Sequence, residues 1–98
     1  MINRIVRMSF QEEKIQEFLE WFNTHKEKIK NVEGCLHLEL WQDVHQPHVF
    51  YTYSIWKEEA SIENYRQSEL FQTVWAYTKQ LFNDKPQAFS ARSHILLP

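Results

Sequence analysis

Ninety-eight residues with 43% hydrophobic and 15% aromatic side chains make one ordered globular domain spanning 1–98 and leave no length for a second. Eleven basic and 13 acidic residues are interspersed to a net charge of −2, so no basic field faces a phosphate backbone, and nucleic acid is excluded as an expected partner. Cys35 is the only cysteine, which rules out an intrachain disulfide and fits a reducing compartment; the opening MINRIVRMSF lacks a signal-peptide run, and no stretch approaches the ~20 apolar residues of a membrane helix, so the chain reads as soluble and cytoplasmic.

Ile2 to Met8 alternates, is rich in β-branched residues and reads as a first strand. Gln11 to Lys30 reads as a helix, because Ile15, Phe18, Leu19, Phe22 and Ile29 fall on one stripe while Glu13, Lys14, Glu17, Glu20 and Lys28 occupy the other side. The sole glycine, Gly34, follows this helix where a turn into a strand is needed. Cys35 to Asp43 reads as a second strand, with Leu36, Leu38 and Leu40 on one face and Cys35, His37, Glu39 and Trp41 on the other. His48 to Trp56 reads as a third, hairpin-paired strand: Val49, Tyr51, Tyr53 and Ile55 share one face, Phe50, Thr52, Ser54 and Trp56 the other.

Lys57 to Arg66 begins a second helical region. Ser68 is a candidate N-cap for a further helix, Glu69 to Phe82, with the stripe Phe71, Val74, Trp75, Thr78 and Phe82. Asn83-Asp84-Lys85-Pro86 ends that helix, and Ala88 to Leu97 is expected as a fourth strand. The order β-α-β-β-α-β predicts an α+β, ferredoxin-like domain: a four-stranded antiparallel sheet with its helices on one face. Large apolar or aromatic groups occur on both faces of the third strand, yet two helical regions cover only one face. The other face predicts a homodimer, two sheets closing into a dimeric α+β barrel.

The chain resembles the antibiotic biosynthesis monooxygenase-like family over nearly its whole length, above all its small single-domain bacterial members. The residues that carry the resemblance are Ile5-Val6-Arg7-Met8-Ser9-Phe10 leading to Glu17-Phe18-Leu19, and Val32-Glu33-Gly34-Cys35 opening the second strand. They continue with Phe50-Tyr51-Thr52-Tyr53-Ser54-Ile55-Trp56 before an acidic helix start, and Tyr65-Arg66-Gln67-Ser68-Glu69-Leu70-Phe71 between the helical pieces. The resemblance implies a dimeric α+β barrel with a pocket between helices and sheet in each subunit. It also implies a choice among activities: cofactor-independent oxidation of phenolic polyketides, quinol oxidation, or haem degradation, with fold alone not deciding. The haem branch has an Asn in the first strand, a Trp in the second helical region and a ligand His after the "S..F" segment. Aligned through Trp56 and Phe71, this sequence has Val6, Tyr65 and Trp75 there, with Asn3 three residues too early. An indole N–H donates and does not ligate a metal, so haem degradation is not expected.

No nucleophile elbow, phosphate loop or dinucleotide fingerprint fits a chain with one glycine, so no cofactor is expected. Cys35 and His37, two apart, share a strand face but lack further ligands at a motif spacing, so no metal is expected and both read as core or interface residues. The candidate substrate-binding set is Tyr51, Trp56, Tyr65, Phe71, Trp75 and Lys79, placed by the third strand and second helical region toward the helix–sheet space. Such rings suit a small, flat aromatic or hydrophobic molecule. The candidate catalytic residues are His37, Tyr53 and Arg66, as base or anion stabiliser. The expected function is therefore a cofactor-independent monooxygenase acting on a small quinol- or polyketide-like aromatic. The alternative is a non-enzymic dimeric module that binds a small ligand or responds to stress, with the aromatic residues serving simply as core.

Overall fold

The computed structural model describes residues 1–98. Four strands, β1 (Ile2–Ser9), β2 (Cys35–Gln42), β3 (Val49–Trp56) and β4 (Gln87–Ala91), form one antiparallel sheet in the order β2-β3-β1-β4. Three helices, α1 (Ile15–Lys30), α2 (Glu59–Arg66) and α3 (Glu69–Thr78), complete the α+β, ferredoxin-like domain. The sequence-expected helix from Gln11 opens as a 3₁₀ turn over Glu12–Lys14 before α1. The one from Glu69 ends at Thr78, passes through a 3₁₀ turn over Lys79–Leu81, and leaves Phe82 bridged to Phe10.

β1 is central and pairs with β3 along its whole length, from Ile2 opposite Trp56 to Ser9 opposite Val49. Alternation then sorts the sheet. Arg4, Val6 and Met8 of β1 and Thr52, Ser54 and Trp56 of β3 turn toward the helices. Ile5, with Tyr53 on one side and Phe89 on the other, belongs to the open face. α1 docks by the predicted stripe: Phe18 and Ile29 are buried, and Ile15, Leu19 and Phe22 pack around the core. That core comes in two clusters. One gathers Met8, Phe10, Phe18, Phe50 and Leu81; the other gathers Ile2, Cys35, Trp56 and Ile62.

Two expectations are corrected. The register shifts between Cys35, opposite Trp56, and His37, opposite Ile55, so Leu36 is an extra residue in a β-bulge. Cys35 therefore packs into the helix-side core, while Leu36, expected beside Leu38 and Leu40, is 48% exposed. Cys35 and His37 consequently do not share a face. The fourth strand was expected to run to Leu97 and stops at Ala91, because Ala91 lies opposite Asn3 and β1 begins at Ile2. Beyond that point the edge strand has no ladder to extend.

Candidate active site

A cavity of about 400 Å³ lies between the sheet and the helices. It touches both core clusters, through Met8 and Phe18 on one side and Trp56 and Ile62 on the other. Its volume falls within the roughly 300–1,000 Å³ range of small-molecule pockets.

One wall is a run of aromatic rings that local structure lines up. Trp56 ends β3 and is held by its indole N–H donating to the Ser54 hydroxyl at 2.9 Å. Its ring stacks on Tyr65 of α2 at 5.3 Å. Tyr65 meets Phe71 of α3 edge-on at 5.1 Å, and Phe71 lies nearly parallel to Trp75 at 5.9 Å. Ser68 fixes the α2–α3 corner: its hydroxyl donates to the Tyr65 carbonyl at 2.6 Å and accepts from the Phe71 amide at 3.1 Å. The N-cap expected from the sequence thus also sets the angle between two pocket rings.

The polar groups on the lining are few: Arg4 and Arg66, the Tyr65 phenol, and the hydroxyls of Thr52, Ser54 and Thr78. No Asp, Glu, His or Lys contributes. Burial pushes the Tyr65 phenol up to about 12, with the Cys35 thiol nearby adding to the effect. Tyr65 is therefore a neutral donor across the physiological range. Burial, then the neighbouring Arg66 charge, lowers Arg4 from its usual value. Because the lining contains no histidine, a histidine-ligated haem does not fit this cavity. No group of three His, Cys, Asp or Glu side chains converges elsewhere to hold a metal.

Of the sequence-predicted site residues, Trp56, Tyr65, Arg66, Phe71 and Trp75 come together on this cavity. The others were expected to converge with them, and that placement is corrected. Lys79 lies exposed on the 3₁₀ turn after α3 and does not line the cavity. Tyr51, Tyr53 and His37 stand on the opposite face of the sheet, because alternation from Trp56 and Thr52 turns their side chains away from the helices. Tyr51 donates to Asp43 at 2.7 Å, and Asp43 in turn accepts the His45 and Gln46 amides, so this phenol clamps the β2–β3 turn. Tyr53 donates to Asn3 at 3.1 Å and stacks on Trp41 at 4.9 Å. Glu39 accepts from the Trp41 indole at 2.8 Å and contacts the His37 ring at 2.5 Å. These two hydrogen bonds, that to His37 foremost, hold the Glu39 carboxyl below its ordinary range. Arg4 was missed. Its available signal was a cation alternating with Val6 and Met8 on a central strand face.

The family model for antibiotic biosynthesis monooxygenase matches residues 1–76. The chain belongs to that family. Among solved structures, one described as an antibiotic biosynthesis monooxygenase is 18% identical, with a TM-score of 0.89 over 95% of this chain and 98% of that one. A conserved protein from Methanosarcina mazei Go1 is 21% identical, with a TM-score of 0.88 over 93% of this chain and 90% of its own. A protein from Mycobacterium tuberculosis is only 9% identical, yet reaches 0.87 over 99% and 98% of the two chains. At such identities the likeness shows the fold alone. No curated protein matches the chain. In this antibiotic biosynthesis monooxygenase family member, the matched span holds β1 through most of α3, and so nearly all of the cavity wall.

Proposed function

We propose that this protein is a cofactor-independent monooxygenase whose helix–sheet cavity takes a small electron-rich aromatic molecule of quinol or polyketide type. The observation that carries the reading is the open, ring-walled cavity of about 400 Å³ between the two core clusters, in a chain of the monooxygenase family. Trp56, Phe71 and Trp75 offer flat apolar faces to a flat substrate. Arg66 and the neutral Tyr65 hydroxyl donate to a substrate oxygen as its phenol ionises. The lining carries no ordinary base, so the nearby positive charge promotes ionisation by stabilising the phenolate.

The substrate then supplies all the electrons. In its enol form the substrate has moved one hydrogen of a ring CH₂ to oxygen, and ionisation releases that proton to water at the cavity mouth. The anion passes one electron to O₂, and the ring radical and superoxide combine into a peroxide at the remaining ring C–H, which takes one proton back. Loss of water leaves a C=O. One oxygen atom ends in the product, and the other leaves as water with the two hydrogens of the CH₂. The apolar walls exclude bulk water from these steps.

We further propose that two copies pair through the open sheet face, and that the protein works in the cytoplasm, where its one thiol stays reduced.

Purified protein with simple quinols or anthrones and no added cofactor should consume O₂ above the buffer rate. Arg66→Gln should lower that rate. Uptake equal to buffer across a phenol panel sinks the oxygenase reading. The absence of Asp, Glu, His and Lys from the lining gives the second reading its support: with uptake flat and ligand binding retained, the protein is a binding module.

A further inference from the structure

Arg4 stands on the helix-facing side of the central strand β1, flanked in register by two small residues, Ser54 on β3 and Ser90 on β4. Its guanidinium donates one hydrogen bond, 2.9 Å to the Ser90 hydroxyl, and pairs with no carboxylate. Half-buried on the cavity lining, it has no other side-chain hydrogen bond, so most of its five donors lack a protein partner. Arg66, at the C-terminal end of α2, lines the same cavity. Its one acidic neighbour is Glu63, 3.8 Å away, with both side chains more than half exposed. An exposed ion pair of that length is worth little. Two guanidiniums thus share one apolar cavity whose lining holds no acidic side chain at all.

Two like charges on one cavity with an apolar wall favour an anion between them over a neutral group. A phenolate fills that place only after the substrate has lost its proton. A permanent anion fills it from the moment of binding. The planar donor fork of Arg fits a two-oxygen anion best, and a single negative charge is the least that relieves the pair.

We propose that the ligand of this cavity carries a carboxylate on its aromatic skeleton, received by Arg4 and Arg66 while the ring lies against Trp56, Phe71 and Trp75. This deepens the monooxygenase reading and rests on the same cavity being the functional site. Arg4 becomes a specificity-determining residue, because a neutral aromatic of the same shape leaves it unpaired.

The test compares 2-naphthoate with its isosteric amide, 2-naphthamide, by isothermal titration calorimetry on the full chain. Naphthoate should bind about tenfold more tightly than the amide, and added salt should narrow the gap. Arg4→Gln and, independently, the exposed Arg66→Gln should each weaken naphthoate several-fold and weaken the amide much less, so that the gap between the two ligands shrinks. Equal affinity for the two ligands in the wild-type protein, with O₂ uptake from neutral anthrones intact, overturns the carboxylate proposal alone. Binding of neither ligand, with no O₂ uptake, overturns it together with the cavity reading. Unchanged naphthoate affinity in both arginine variants overturns it as well.

Discussion

Gly34 sits at φ +87°, and a Cβ built on it would lie 2.3 Å from the Ser61 hydroxyl and 2.4 Å from the Ser61 Cβ. The left-handed backbone and the close approach of α2 both require a residue without a side chain. Gly34→Ala should therefore destabilise the protein by about 2–4 kcal/mol, the sum of backbone strain and overpacking, read as a lower urea midpoint with an unchanged m-value. Ser61→Gly in the same chain should recover only part of the loss, since the strained φ remains. Tyr65 gives a pH prediction. A phenol that the fold keeps neutral to about 12 favours folding below the ordinary phenol range near 10, and that contribution disappears as the pH climbs between these values. The urea midpoint should fall over this alkaline window, and fall less in Tyr65→Phe. Tyr51 and Tyr77, also raised, chiefly by their hydrogen bonds to Asp43 and Glu17, leave a residual slope. At this scale the sequence shows the wall rings Phe71 and Trp75, because helical spacing puts them on one stripe of α3. Tyr51 and Tyr53 misled: alternation says they share a face, but with apolar groups on both faces of β3 it does not say which face the helices cover.

Ser68 joins two elements rather than capping one. Ser68→Ala removes the acceptor for the Phe71 amide and the donor to the Tyr65 carbonyl. Loss of the cap alone costs about 1 kcal/mol, and thermal unfolding should show a drop of that order. Because the corner holds Tyr65 against Phe71, ligand affinity should weaken too, which an ordinary surface cap would not cause. The succession of elements along the chain, the α1 stripe and this cap were legible from periodicity and turn chemistry, which are local signals. The bulge at Leu36 and the early end of β4 were not. Both depend on a partner strand: one on the register with β3, the other on where β1 begins.

The whole molecule is more open than a self-sufficient domain of its mass. Its accessible surface is 6850 Å² for 12.0 kDa, where the usual scaling gives roughly 6,000 Å². Its radius of gyration is 13.7 Å, against roughly 12.6 Å expected for this length. The excess includes the open sheet face, where Phe89 is 57% and Trp41 39% exposed, and the C-terminal Ile95, Leu96 and Leu97. Covering apolar area of this kind stabilises by roughly 25 cal/mol per Å², enough over a standard interface to hold two copies together. The wild-type protein should sediment at roughly 24 kDa, twice its chain mass. Ile5 lies mid-strand on that face, between Tyr53 and Phe89, so a charge there meets the centre of any interface. Ile5→Lys should shift sedimentation to a single subunit and lower the thermal midpoint. The cavity is walled by one chain, so a folded Ile5→Lys monomer should still bind naphthoate. A wild-type protein that sediments as one subunit at micromolar concentration would refute the pairing. A folded monomeric variant that has lost binding would show that the partner shapes the cavity.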